Sequence, residues 1–437
     1  MGRRRAAHRV AVVTACACGL AVWGQVAGVE AAPRTVLVSV TGAGRPVDGL
    51  SVSPTISANG NRVAFQSSSD DLVRGDENQA SDVFVRDLAA GTTRRVSVGR
   101  GGADSDGSST SPSISANGRY VTFTSGAENL VGNDGNGASD VFRRDLRTGR
   151  TVRVSVGLGG VPAGRIVSSS SVSGDGNRVA FQVFAGGSGF QIYARDIAAG
   201  TTMKVSRAVR GGQADGNSFN PTISANGRYV AFLSAASNLV ARDGNGFADV
   251  FRRDLAIART ILVSKDRLGG AADSDAMHGP PSISPRGRFV AFFSSATDMV
   301  AGDTNGEPDV FRRDLAARTN QRISVDSAGN QVFGFGNFHI VRTSVSAGGR
   351  YVAFSSDSSG LASNDHNGQP DVFLRDVVAG TTTLVSVATS GESPNGFSTE
   401  PALSADARYV AFSSDAPGLT ADDTNGGVND VFRRTVN

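Results

Sequence analysis

The chain has 437 residues, a formal charge of +3, 55 glycines and two cysteines. Both cysteines, Cys16 and Cys18, and the only tryptophan, Trp23, fall in the first forty residues, so no disulfide framework, thiolate nucleophile or cysteine metal site is available beyond them. Setting residues 1–31 aside removes four arginines and one glutamate and leaves 39 residues of each sign, which excludes the basic footprint of a nucleic-acid binder.

Residues 1–31 read as a secretory signal peptide. Arg3, Arg4, Arg5 and Arg9 form a basic start, Val10 to Trp23 an apolar core too short for a permanent membrane span, and Val29-Glu30-Ala31 a small-residue cleavage site. A membrane anchor, or a lipoprotein processed at Cys16, are the alternatives. The mature chain is then expected outside the cytoplasm, secreted or in the periplasm and cell envelope, with no transmembrane segment.

From residue 34 to 437 one unit recurs seven times. Its most regular part is SPTISANGNRVAF (53–65), SPSISANGRYVTF (111–123), SSSVSGDGNRVAF (169–181), NPTISANGRYVAF (220–232), PPSISPRGRFVAF (280–292), VRTSVSAGGRYVAF (341–354) and EPALSADARYVAF (400–412). The apolar anchors Ile56, Ile114, Val172, Ile223, Ile283, Val345 and Leu403 are spaced by 58, 58, 51, 60, 62 and 58 residues, a period that belongs to propeller blades or a solenoid. Each unit predicts four short strands. Strand A is the PTIS type, and an Asn-Gly turn such as Asn226-Gly227 leads to strand B, RYVAF. Strand C is DVFRRDL, and a second turn such as Ala199-Gly200 leads to strand D, TxxVSV. Strand B lacks polar alternation, so both of its faces are expected to be buried, as in a sheet stacked between neighbours.

Strand D predicts how the ring closes. It falls at 35–40, 93–98, 151–156, 202–206, 260–264, 321–325 and 382–387, so the array starts on a D strand and finishes on a C strand, VFRRTVN. The expectation is an all-β, seven-bladed β-propeller in which residues 35–40 complete the last blade. A ring needs no end caps, whereas a solenoid does.

The pattern S-x-x-G-[RK]-x-[VI]-A-F followed by D-[VI]-[FY]-x-x-D resembles the WD-like propeller repeat of the TolB type, over about residues 34–437. That resemblance implies the propeller fold. It leaves function open, because the fold carries scaffolds, receptors and enzymes alike.

The A–B and C–D turns are tight, whereas the B–C and D–A connections are long and polar, so function is expected on the long-loop face. The B–C connection carries D-x-N-G-x-x-D or a variant in six blades: Asp76/Asn78/Asp82, Asp134/Asn136/Asp140, Asp243/Asn245/Asp249, Asp303/Asn305/Asp309, Asp365/Asn367/Asp371 and Asp423/Asn425/Asn429. In blade 3, FAGGSGFQIY (184–193) replaces it without a carboxylate. Alternating oxygen side chains around a glycine suit Ca2+, yet Asp and Asn also cap turns on backbone N–H groups. Both readings stay open, and no cofactor is required by either. A second series, Asp48, Asp106, Asp215, Asp275, Asn337 and Asn395, lies eight residues before each anchor and is expected to ring the mouth of the central tunnel. The Arg-Arg pairs of strand C, such as Arg143-Arg144, are expected to pair with aspartates across blades. His278, His339 and His366 show no metal-ligand spacing.

The expected function is a monomeric, non-catalytic scaffold that binds a protein or cell-envelope glycan. The alternative is a hydrolase or lyase at the acidic tunnel mouth, with calcium as its candidate cofactor.

Overall fold

The computed structural model describes residues 33–436 apart from 136, 157–165, 242, 277–278 and 334–341. The signal segment and its cleavage site therefore lie outside the described residues, as do Asn136, His278, Asn337 and His339. The described chain is all-β: seven antiparallel four-stranded sheets, with two short 3-10 turns at Arg100–Gly102 and Gly186–Ser188.

Blade 1 shows the plan. Strands A to D are Ser51–Ile56, Arg62–Ser67, Asp82–Asp87 and Thr92–Arg95, paired in chain order. Strand B is closed on both faces as its sequence requires: Val63, Ala64 and Phe65 have no exposed surface. Phe65 stacks on Phe84 of strand C with ring centroids 5.9 Å apart, and every blade repeats such an aromatic pair. The apolar clusters are shared between neighbours. One holds Val38, Ala411 and Val431 of blade 7 together with Val63, Phe65 and Phe84 of blade 1. Each blade thus supplies half of two cores, and a blade alone would leave both halves wet.

The ring closes as the D-strand positions predict. Thr35–Leu37 pairs antiparallel with Asp430–Thr435, Val36 opposite Arg433, giving the last blade its fourth strand from the other end of the chain. The regular strand is shorter than residues 35–40, because the chain bulges at Val38 and Ser39, whose N–H groups both reach the Val431 carbonyl, at 2.7 and 3.4 Å.

The A–B turns lock neighbouring blades together. Gly60 has φ +71°, and the Tyr409 ring of blade 7 packs where its Cβ would be. The strand-C arginines take part in the same joints, and here the expectation of cross-blade aspartate pairing is corrected. Arg143 donates to the Gly176 carbonyl of the next blade at 2.6 Å and lies 4.5 Å over the Tyr120 ring. Arg144 donates to Thr151 at 2.9 Å. Burial draws the pKa of both arginines down, against the pull of Tyr120 and Asp145 on Arg143. The aspartates at the end of strand C bind another arginine, at the start of strand B: Arg119–Asp145, Arg228–Asp254, Arg288–Asp314 and Arg350–Asp376.

Candidate functional site

The B–C loops are held from the end of strand D. There each strand kinks at a serine, the amide after it donating to the carbonyl before it, as Val387 does to Val385 at 2.8 Å, and the kink turns the hydroxyl toward the first residue of strand C. Ser97, Ser155, Ser264, Ser324, Ser386 and Ser39 donate to Oδ1 of Asp82, Asp140, Asp249, Asp309, Asp371 and Asp430. The same hydroxyls accept the next strand-C amide, as Ser386 does from Val372 at 2.9 Å. In blade 3 a neutral group takes over: Gln191 Oε1 accepts from Ser206 at 2.9 Å. The final aspartate of each loop motif therefore spends one oxygen inside the blade. In blade 7 this aspartate is Asp430, not Asn429, and the additional residue is absorbed where Gly426 and Gly427 take positive φ.

The asparagine of the motif turns its nitrogen, not its oxygen, toward the aspartate. Asn78, Asn245 and Asn367 donate to Oδ2 of Asp82, Asp249 and Asp371 at 2.9, 2.8 and 3.0 Å. They also donate to carbonyls of the D–A loop, at Ser105, Ala272 and Pro394. Their Oδ1 atoms accept the N–H two residues on, as Asn367 does from Gln369 at 2.9 Å, the cap expected of such a turn.

Asn305 of blade 5, expected beside Asp303 and Asp309 as a third oxygen donor to a cation, is corrected in the same sense. Its Nδ2 donates to the Val332 carbonyl of the D–A loop at 2.9 Å, and its Oδ1 accepts the Glu307 amide at 3.3 Å. Asp309 Oδ2 is held by Arg322 instead, at 3.1 Å. The oxygen alternation that makes the sequence look like a calcium loop is thus only half realised. The first and last residues of the motif face one point, and the middle one, Asn78, Asn245, Asn305 or Asn367, staples two loops.

The first aspartate lies against strand D. In blade 5, Arg322 Nη1 donates to Asp303 Oδ1 and Asp309 Oδ2, both at 3.1 Å, and to Gln331 Oε1 at 2.8 Å, while Nη2 reaches the Gly302 carbonyl at 2.9 Å. Arg95 likewise holds Asp76 at 2.5 Å and Asp104 in blade 1, and Arg153 holds Asp134 at 2.7 Å in blade 2. Burial pushes Asp309 up to about 6 against the pull of Arg322 and the Ser324 hydroxyl, and Asp76 up to about 7 against that of Arg95. No strand-D arginine reaches Asp243, Asp249, Asp365 or Asp371 among the described residues. Nor do the described residues include any cluster of three or more His, Cys, Asp or Glu able to hold a metal.

None of the described members of the D–A series lines the central tunnel. Asp106 Oδ1 accepts the Glu128 amide at 2.8 Å, Asp215 accepts the Ser237 hydroxyl at 2.7 Å, and Asp275 accepts the Ala248 amide at 2.8 Å. These side chains tie D–A loops to B–C loops, while Asp48 and Asn395 are exposed. The tunnel, with a volume of about 620 Å³, is lined by strand A, including Pro54, Ser111, Asn220, Pro281, Arg342 and Pro401. The residues before four of its prolines, Ser53, Ser111, Asn220 and Glu400, have φ between 51° and 56°, a strained conformation for a side-chain-bearing residue. Glu400 accepts from the Ser53 amide at 2.6 Å and the Ser413 hydroxyl at 3.0 Å, and lies 3.3 Å from Arg342 Nη2.

Blade 3 leaves the polar rim open to aromatics. Phe190 lies between Phe184 and Phe219, with centroids at 5.2 and 5.6 Å. Leu50, Phe184, Phe247, Phe333 and Phe397 are all exposed at the ends of strands or loops on this face.

These features define a closed seven-bladed β-propeller with an acidic and aromatic loop face. Compared by sequence, the chain matches no protein-family model and no curated protein. Compared by structure, it is similar to the oligogalacturonate lyase of Vibrio parahaemolyticus, with 11% identity over 90% of this chain and 93% of that one and a TM-score of 0.55. It is also similar to the β-propeller domain of the trilobed protease of Pyrococcus furiosus, with 10% identity over 89% and 94% of the two chains and a TM-score of 0.52. TolB of Acinetobacter baumannii is matched with 16% identity over 87% and 81% of the chains, at a TM-score of 0.39. At these identities the first two likenesses are of fold alone.

Proposed function

We propose that this protein is a TolB-type propeller exported by its first 31 residues, working as a monomer outside the cytoplasm as a non-catalytic scaffold for a protein or envelope glycan. The observation that carries this reading is the aromatic set on the long-loop face, where the exposed Phe184 packs against the half-buried Phe190, itself on the half-buried Phe219, and Phe247, Phe333 and Phe397 are exposed around the ring. Aromatic faces rimmed by polar loops suit both sugar-ring stacking and the anchor residues of protein interfaces. The nearly neutral composition beyond residue 31 agrees with a partner that is not nucleic acid, and no helix among the described residues is long and apolar enough to cross a membrane.

A second reading rests on the strained tunnel wall. A hydrolase or lyase there would draw on Arg342 and Glu400, with or without a cation. The two readings separate in one pair of measurements on the mature protein: binding to arrayed envelope glycans and proteins, and turnover of glycosides, oligogalacturonates, lactones and peptides. A ligand retained unchanged supports the scaffold. Turnover that Glu400→Gln abolishes would replace it with the enzyme.

A further inference from the structure

The residue two places before the strand-D serine sets the charge balance of each loop. It is Arg95, Arg153 and Arg322 in blades 1, 2 and 5, Lys204 in the carboxylate-free blade 3, and Leu262, Leu384 and Leu37 in blades 4, 6 and 7. The arginines enter as cations beneath two aspartates. The leucines instead join the apolar cores, Leu384 being 7% exposed.

Blade 6 keeps the acidic pair without its guanidinium. Asp365 is 2% exposed, and no hydrogen bond reaches either of its carboxylate oxygens. The Asn367 amide and the Ser393 hydroxyl lie near enough to draw its pKa down, but neither makes a bond of normal geometry, and burial wins and pushes the pKa up. Asp371 has Oδ1 engaged by Ser386 at 2.5 Å and Oδ2 by Asn367 at 3.0 Å. An unpaired buried carboxylate of this kind is among the most destabilising groups a core can hold. It is neutralised by a proton or by a cation.

Blade 5 shows which oxygens surround a cation at this place. Arg322 touches two carboxylates, the Gly302 carbonyl and the Gln331 side chain. Their counterparts in blade 6 are Asp365, Asp371, the Asn364 carbonyl and Ser393. The last match is fixed by hydrogen bonds: the Thr304 amide donates to Gln331 and the His366 amide to Ser393, each across 27 residues. All the donors on offer are oxygen, two of them anionic, which is the preference of calcium and, among transition metals, of manganese.

We propose that the Asp365–Asp371 pair binds a divalent cation of the calcium class, at the place the Arg322 guanidinium fills in blade 5. Blades 4 and 7 share the leucine and the acidic pair. There Asp243 and Asp423 are less fully buried than Asp365, although Asp423 Oδ1 is also buried without a partner, and Ala271 and Pro46 stand where Ser393 does, so blade 6 is the best-built of the three.

The test is calorimetric titration of the chelator-treated mature protein with calcium, manganese and magnesium chlorides, with melting curves in parallel. Expected are saturable binding and a raised melting temperature. Leu384→Arg would supply the guanidinium internally, raising the metal-free melting temperature and lowering the stoichiometry by one. Asp365→Asn, isosteric and of unchanged circular dichroism, would also remove one site, and it carries the test if Leu384→Arg does not fold. No heat with any of the three ions at millimolar concentration, or an unchanged stoichiometry in Asp365→Asn, overturns the proposal. A melting temperature insensitive to metal but rising as pH falls would show a proton-bound pair instead.

Discussion

The Ser39 hydroxyl donates to the Asp430 carboxylate at 2.5 Å across 391 residues of sequence. In blades 1, 2, 4, 5 and 6 the same serine–aspartate contact spans 15 residues. The element that holds each B–C loop is therefore also the one that closes the ring. Ser39→Ala leaves Asp430 Oδ1 and the Val431 amide without their partner, at a cost of about 1–3 kcal/mol in urea unfolding. Deleting residues 33–41 removes the strand as well, bares an edge, and is expected to give an aggregating protein on size exclusion. Unchanged stability in both variants would contradict closure by this strand.

Gly60 tests the blade joints. Its φ of +71° disfavours any side chain, and a Cβ there would fall 2.2 Å from a Tyr409 ring carbon. Gly60→Ala should lower stability by about 2–4 kcal/mol, backbone strain and overpacking together. Gly75 has φ +78° with open space around it, so Gly75→Ala isolates the strain alone, about 1 kcal/mol. Equal losses at the two sites would show that the tyrosine contact contributes nothing.

The buried loop acids give stability an unusual pH dependence. Burial, ahead of their hydroxyl and amide donors, pushes Asp249 and Asp371 up to about 7, and Asp309 and Asp430 up to about 6. Around them stand Asp243 and Asp275, Asp365, Asp303 and Arg322, and Asp423, with His366 and Glu392 flanking the blade 6 loop. Since the folded chain holds these protons more tightly than the unfolded one, whose carboxyls titrate at about 3.9, stability rises as pH falls from about 8 to about 5. Asp314 and Asp376 act in the other sense: their arginine hydrogen bonds hold them at about 2, so their stabilisation is lost only in stronger acid. Melting temperature measured in chelator should therefore peak between about pH 4 and 5.5. A monotonic fall from about pH 8 downward would contradict the burial of these acids.

Blade 5 offers the reverse of the blade 6 experiment. Arg322→Leu strands Asp303 and Asp309 without their cation, and breaking such a buried pair costs about 3–5 kcal/mol. The variant should regain part of that loss on calcium addition, while wild-type blade 5 contributes no calcium response. A loss that calcium leaves untouched would separate the two loops chemically.

Much of the fold was legible because it is local and repeated. Asn-Gly turns, the doubly buried Val-Ala-Phe of strand B and the serial D strands all lie close together within each unit, and they locate the closing strand. The site was harder to read. Arg322 and Asp303 are 19 residues apart in different elements, and the D-strand position reads as variable between Arg, Lys and Leu. Asn305 sits between two aspartates in the sequence, yet only the folded D–A loop reveals the Val332 carbonyl that claims its nitrogen. The serine of V-S-V looks like any strand residue, since only the kink turns its hydroxyl toward Asp371. The D–A aspartates show the converse, a regular sequence position whose side chains bond to neighbouring loops instead of lining the tunnel.

The most direct test of the binding face compares two faces of one ring. Phe184 and Phe397 are exposed on the long-loop side, whereas Ile257 and Val378 are exposed on the short C–D turns opposite. With a glycan or protein ligand identified on the arrays, its affinity for the wild type, a Phe184→Ser/Phe397→Ser pair and an Ile257→Ser/Val378→Ser pair is measured by titration. The first pair is expected to lose binding and the second to retain it. Equal affinity in all three, or loss only in the second pair, would contradict a partner held on the long-loop face.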